Sequence, residues 1–174
     1  MVGFTIFTAC ENDIQKVNEF TRTDQSPSLV IKEIETTYSD SGVVKVMLKA
    51  PQLTRFEKLD QPIDEYPEGL TVTFYSSDFE ITGMLTCEYA KYIVNDNLWE
   101  TRKNVEAENL QTGEKLNTEQ LFWNVEKELL YSDAFVRITT ADEVLFGDGL
   151  EAKQDFSKWK ITKPKGTLTI NDNE

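Results

Sequence analysis

Residues 85–107, LTCEYAKYIVNDNLWETRKNVEA, and residues 116–138, LNTEQLFWNVEKELLYSDAFVRI, decide how this chain folds. Laid over each other at a constant offset of 31, they coincide at Leu85/Leu116, Glu88/Glu119, Val94/Val125, Leu98/Leu129 and Val105/Val136. Tyr92/Trp123, Thr101/Ser132 and Ala107/Ile138 match in kind. A shorter core has Leu, a small residue two later and usually an apolar residue three after that. It occurs at Leu48-Ala50-Leu53, Leu85-Cys87-Ala90 and Leu116-Thr118-Leu121, and at Leu150-Ala152-Asp155 with Asp155 breaking the pattern. A repeat of this length is too long for one solenoid strand and too short for a domain. It suits hairpin units that cannot bury their apolar faces alone and so stack, lining a continuous interior. The small residues Ala50, Cys87, Thr118 and Ala152 would hold the wall back and leave room for something apolar inside.

Working outward, the period is two. Val44, Val46, Leu48 and Ala50 alternate with Val43, Lys45, Met47 and Lys49. Leu70, Val72 and Phe74 alternate with Thr71, Thr73 and Tyr75, and Phe79, Ile81, Leu85 and Cys87 face away from Glu80, Thr82, Met84 and Thr86. Residues 135–140, 143–146 and 158–163 read the same way. Pro51, Pro62, Pro67 and Gly69 punctuate the first half, Thr112-Gly113 and Asp148-Gly149 the second. Residues 119–130 are rich in Glu, Leu and Lys, yet Phe122, Trp123 and Val125 form no helical stripe, so strand is expected there too. The chain is read as all-β.

Composition narrows the function. Eighteen Lys and Arg against 31 Asp and Glu leave a net charge of −13 in 174 residues. That argues against nucleic acid, whose phosphates need a basic face. The chain has no histidine, which removes the usual general base and the commonest metal ligand. Cys10 and Cys87 cannot make a four-ligand zinc site, although one disulfide stays open. Asn95-Asp96-Asn97 and Gly147-Asp148-Gly149 are fragments of calcium loops without the full ligand series. No glycine-rich phosphate loop is present, and neither metal nor cofactor is expected.

The first residues carry a separate signal. Val2–Ala9 is a short apolar stretch ending in small residues before Cys10, and the chain turns polar at once with Glu11, Asn12 and Asp13. This resembles the end of a lipoprotein signal peptide, with Cys10 the lipidated residue, though the positively charged segment that usually precedes it is missing. Residues 1–10 are therefore set apart from the fold, 11–27 read as a tether, and 28–174 as one β domain.

The ordered series Leu85-Thr-Cys-Glu-Tyr-Ala-Lys-Tyr92, Leu98-Trp99-Glu100, Asn104-Val105-Glu106, Leu116-Asn-Thr-Glu-Gln-Leu-Phe-Trp123, Ser132-Asp133, Val136-Arg-Ile138 and Gly147-Asp-Gly-Leu150 resembles the LptC family of periplasmic lipopolysaccharide-export proteins, and more broadly OstA-like domains. The resemblance spans residues 43–162. It implies an open, twisted β-jellyroll whose apolar groove carries acyl chains, here lined by Val46, Leu48, Val72, Phe74, Ile81, Leu85, Leu98, Val105, Leu116, Leu121, Val136 and Ile138. It also implies a non-enzymatic protein held at the inner membrane, receiving lipopolysaccharide from an ABC transporter and passing it to an OstA-like periplasmic bridge protein. The familiar members use a transmembrane helix, where this chain would use a lipid anchor on Cys10.

Two further expectations concern docking. Trp159-Lys-Ile161-Thr162 and Thr167-Leu-Thr-Ile170, interrupted only by Pro164 and Gly166, read as an edge kept free for a partner strand. Gly147 follows Phe146 where a strand leaves the repeat, and reads as a glycine of unusual backbone angles whose replacement would harm docking more than stability. Trp159, Ile161 and Gly147 are thus the expected docking residues. Two rivals stand beside this reading. One is a carboxylate enzyme such as a glycosidase, which needs two acids set in a polar cleft. The other is a structural or adhesion β-sandwich lipoprotein with a filled core.

Overall fold

The computed structural model describes residues 26–154, 156 and 158–166. The lipidation expected at Cys10, nearly all of the tether and the strand expected at residues 167–170 lie outside them. The described residues form eleven strands: β1 (Leu29–Asp40), β2 (Val43–Phe56), β3 (Ile63–Tyr66), β4 (Leu70–Tyr75), β5 (Ile81–Cys87), β6 (Tyr89–Ile93), β7 (Leu98–Asn109), β8 (Lys115–Asn124), β9 (Leu129–Thr139), β10 (Val144–Lys153) and β11 (Trp159–Lys165). Every pairing is antiparallel. The architecture is all-β, as the alternation predicts, and jellyroll-like, as the resemblance implies.

The sheet order is β11-β10-β9-β8-β7-β5-β4-β2-β3-β6, with β1 added to β2 and β6 also paired with β7. One half of β2, Val46–Lys49, pairs with β4, and the other, Thr54–Phe56, pairs with β3. β7 divides likewise between β5 and β6. The sheet therefore creases along a line that crosses β2 and β7 to β10 near their middles, with β4 and β5 on one side and β3 and β6 on the other, and its two walls close toward each other.

The register explains the repeat. On one side of the crease, facing residues run Leu48–Val72–Leu85–Ala107–Leu116–Ile138–Leu145. On the other, Tyr66–Ala90–Thr101–Leu121 run in register, and Ser132–Leu150–Ile161 continue the row. Between Thr118 and Leu121 the chain steps three residues across the crease. Its partner β7 steps four, from Thr101 to Val105. An odd step reverses the alternation, so a strand that faces inward at i and i+2 faces inward again at i+5. That is the spacing of Leu48-Ala50-Leu53, Leu85-Cys87-Ala90 and Leu116-Thr118-Leu121. The short core marks the crease.

The fourth copy is different from the one the sequence suggests. Gly147 pairs with Val136 and Leu150 with Ser132, so the equivalent set on β10 is Leu145-Gly147-Leu150. Ala152 lies one row farther out, opposite Leu130. Pro51 does not end its strand either: β2 runs through it at the crease, opposite Glu33, whose φ of 53° takes up the bend. Lys103 and Asn104, with φ of 63° and 50°, do the same on β7. Phe79 sits in the β4–β5 turn with φ of 63°, outside the strand expected to hold it.

Bulges free backbone carbonyls, and buried carbonyls need donors. The buried hydroxyls at the crease supply them. Thr101 Oγ1 donates to the Leu121 carbonyl at 3.0 Å, Thr118 Oγ1 to Phe135 at 2.9 Å and Ser132 Oγ to Gln120 at 2.7 Å. Among the described residues no buried side-chain nitrogen or oxygen lacks a partner.

Candidate functional site

The interior between the walls is the candidate site, and most of the expected lining lies there. Leu48, Leu85, Leu116 and Ile138 are buried in the single first-wall row, with Val72 half-buried among them. Val46 and Phe74 face each other one row farther from the crease, both half-buried. Val105 and Val136 sit at the crease with 0% exposure, and Leu121 is buried on the second wall.

Two residues of the expected lining lie outside the interior. A bulge between Phe74 and Tyr75 pairs Ile81 with outward-facing Tyr75, so Ile81 turns out of the interior and is 48% exposed. On β7 the four-residue step preserves the alternation from Val105 back to Thr101 and Trp99. Leu98 therefore shares the outer side with Glu100, and Trp99 takes the inner place. A three-residue step would have reversed the two.

The walls fit more closely at the crease than the small residues suggest. Ala50, Cys87 and Thr118 are buried in the crease row beside Leu70, Val105 and Val136. Their smallness lets the walls approach and leaves no channel there. Burial also pushes the Cys87 thiol pKa up. Farther out, Ala107, Leu116 and Ile138 of one wall and Leu150 and Trp159 of the other, with Phe156 and the polar Glu108, Asn109, Glu114 and Lys115, line a partly open cavity of about 30 Å³. That is room for a water or two.

The second wall contains what the sequence reading missed. Its outer inward row runs Arg55–Asp64–Tyr92–Trp99–Trp123–Leu130–Ala152–Trp159. Arg55 grips Asp64 through two bonds, Nε–Oδ1 at 2.6 Å and Nη2–Oδ2 at 2.7 Å. That hydrogen bonding holds the Arg55 pKa up. Trp99 packs against Tyr66 and Tyr92, with ring centres 5.5 and 5.0 Å apart. Burial, with the Asp64 charge beside it, pushes the Tyr66 pKa up to about 12. The match of Tyr92 to Trp123 across the repeat was the available signal for this aromatic row.

The buried acids do not make a catalytic pair. Glu100 lies on the outer side, where burial alone would raise its pKa. Hydrogen bonds from Lys91, Arg102 and Gln120 prevail and lower it. Asp64 is on the inner side, held by Arg55. Each carboxylate is committed to cations, and no cluster among the described residues could hold a metal ion.

The expected docking residues face the interior. Trp159 and Ile161 point inward and pack against the core. Gly147 is buried, and its φ is not positive. A Cβ there would collide with Ile161 Cγ2 and the Lys163 carbonyl. Steric exclusion, not backbone freedom, demands glycine, and a larger residue would cost stability first. What β11 leaves free is its outer backbone edge, since among the described residues it pairs with β10 alone. β1, which among the described residues pairs only with β2, is the opposite edge.

A family model described as "Lipopolysaccharide-assembly, LptC-related" matches residues 1–164 of the chain. No curated protein matches it.

Proposed function

The chain belongs to the LptC-related family, whose role lies in lipopolysaccharide transport in the cell envelope, and on that premise we propose a non-enzymatic lipid-transfer function for it. It takes the acyl chains of lipopolysaccharide from an inner-membrane ABC transporter, shields them between its walls and hands them to an OstA-like periplasmic bridge protein. A lipid on Cys10 would hold it at the inner membrane, with the domain in the periplasm.

The observation that carries this reading is the first-wall row. Apolar side chains follow one another without a polar interruption from Leu48 on β2 to Leu145 on β10, between β1 and β11, each of which pairs on one side only among the described residues. Each methylene taken out of water is worth about 0.8 kcal/mol. A multi-chain lipid therefore crosses an aqueous gap only under cover, and a row that continues from β2 to β10 gives cover across those strands. Transfer between similar apolar surfaces is nearly isoenergetic, so direction comes from the transporter. The lipid's phosphates stay in water, away from a chain of net charge −13.

The packed crease favours a second reading, a structural β-sandwich lipoprotein with a filled core. A photoactivatable residue at Phe74, inward and half-buried, separates the two. Transfer predicts crosslinks to lipopolysaccharide from position 74 and none from the neighbouring, outward-facing Thr73. Equal labelling from both positions, or none from either, favours the filled core.

A further inference from the structure

We infer that Phe156 is a built-in occupant of the acyl path: its ring fills the interior at the β8–β11 end and must leave before lipid passes toward β11. The inference rests on the proposed function for the identity of the lipid, and it names the residue that regulates its advance. Val94, Val125 and Phe156 follow one another at the offset of 31 and fall between β6 and β7, between β8 and β9, and between β10 and β11. Val94 and Val125 face water, 41 and 37% exposed. Phe156, the largest of the three, does the opposite. It is half-buried, packs against the core beside Trp159, and faces Ala107, Leu116 and Ile138 of the first wall across the cavity.

Two features mark this ring as an occupant and not as part of a wall. Its φ of 53° lies in the left-handed region that bulky residues rarely adopt, so the backbone is strained to turn the ring inward. The sheet, moreover, does not depend on it. β10 and β11 pair as far as Ala152 and Trp159, and the Lys153 nitrogen donates to the Lys158 carbonyl at 2.9 Å to finish the ladder. Gln154 is tied to the second wall, its nitrogen donating to the Glu128 carbonyl at 3.1 Å and its side-chain oxygen accepting from Trp123 Nε1 at 3.3 Å. Among the described residues, the Phe156 nitrogen donates only to the Lys153 carbonyl, at 2.9 Å. The ring can therefore turn outward without unpairing a strand. Trp159 cannot, because it belongs to β11.

Ring and lipid thus compete for one apolar space. With the ring in place the interior is covered from water, and the apparent affinity for an acyl chain falls by the fraction of molecules whose ring is out. The half-buried Val46 and Phe74 line the interior on β2 and β4, toward the other end of the sheet order. Lipid meets no such competitor from this turn there.

The test places a photoactivatable residue either at Leu145, which pairs with Ile138 on the first-wall row, or at Phe74, and measures labelling by lipopolysaccharide below saturation. Phe156→Ala should raise labelling from position 145 roughly tenfold, the worth of burying one large apolar side chain, and leave position 74 within about twofold of wild type. Phe156→Leu keeps an apolar side chain in place and should give a smaller rise in the same direction, which serves where alanine destabilises the chain. Leu53→Ala, a truncation at a buried position on β2, controls for general loosening and should leave position 145 as in wild type. Labelling from position 145 that is unchanged in both Phe156 variants, or that rises as much in Leu53→Ala, overturns the inference while lipid transfer stands. No labelling from position 74 in any of these chains overturns lipid transfer itself, and the inference with it.

Discussion

The two walls share one backbone plan and differ in chemistry. The first-wall row from Leu48 to Leu145 is aliphatic from end to end. The corresponding row of the second wall starts with the Arg55–Asp64 ion pair, passes through Tyr92, Trp99 and Trp123, and becomes aliphatic only at Leu130 and Ala152. A crease with compensating bulges requires only that inward positions stay inward. It leaves the identity of those side chains free, so one wall can be uniform and the other graded. The uniform wall suits anything that slides. The graded wall gives the interior a polar end beside β3 and an apolar end beside β11.

The largest expected effect breaks the crease that both walls share. Arginine at Val136 would place a charge where exposure is 0%, among the apolar side chains of the core. Burial of an unpaired charge of this kind costs more than about 4 kcal/mol, a large share of a domain's whole stability. Val136→Arg should therefore fail to fold, and loss of lipid crosslinking in that variant would say nothing about a groove. Leu116→Arg, at 4% exposure, falls under the same argument. The control is Glu106→Arg on the exposed outer side of β7, expected within about 0.5 kcal/mol of wild type. Thermal melts of the three variants check it, and a Val136→Arg chain that melts like wild type would show the crease to be open.

A smaller effect separates the polar end of the second wall from the rest. Asp64→Ala leaves the Arg55 guanidinium without its carboxylate, but the Arg55 side chain is 39% exposed and can turn to water. The cost should fall below that of a fully buried pair, at about 1–2 kcal/mol. Arg55→Leu with Asp64→Leu removes both charges, and paired apolar replacements of this kind are often neutral or stabilising. Denaturant midpoints near wild type for the double variant would mean that the pair orients the interior and contributes little stability. A double variant weaker than Asp64→Ala alone would show the pair to be a structural clamp.

Much of this was legible in the sequence because alternation reports which side a residue faces wherever a strand runs straight. The offset of 31 mapped Leu85 onto Leu116, Ala107 onto Ile138 and even outward Leu98 onto Leu129, which face the same Asn124 from either side. Legibility ended at the bulges. A step of three or four residues across the crease decides whether Leu98 or Trp99 is inward, and neither periodicity nor composition encodes it. The step depends on which strand supplies the extra residue, a property of the pair and not of either strand alone. Ile81 was lost to the same cause. At β11 the sequence shows an edge strand but not the direction of its side chains: Trp159 and Ile161 pack against the core, while the outer backbone edge pairs with nothing among the described residues. The Arg55–Asp64 pair was invisible because its members belong to different strands that meet only through the β2–β3 register.

The smallest effect is a pH dependence confined to the second wall. The Tyr66 hydroxyl is raised to about 12 by burial and by the neighbouring Asp64 charge, against 10 for an unperturbed tyrosine. The fold thus favours the neutral phenol. Its contribution is intact below pH 10 and is lost as the pH rises toward 12, because the unfolded chain ionises first and the folded one resists. Tyr89, also raised to about 12 through burial and its hydrogen bond to Glu65, adds a similar loss on the outer side. Tyr66→Phe keeps the ring against Trp99 and removes the ionisable group. The variant should lose less stability than wild type between pH 9 and pH 11.5, and Tyr89→Phe should act independently, since the two hydroxyls lie on opposite sides of the sheet. Chemical denaturation across that range is the measurement. Parallel curves for wild type and Tyr66→Phe would mean that the second wall admits water at Tyr66, and that its aromatic row is a wet mouth of the interior.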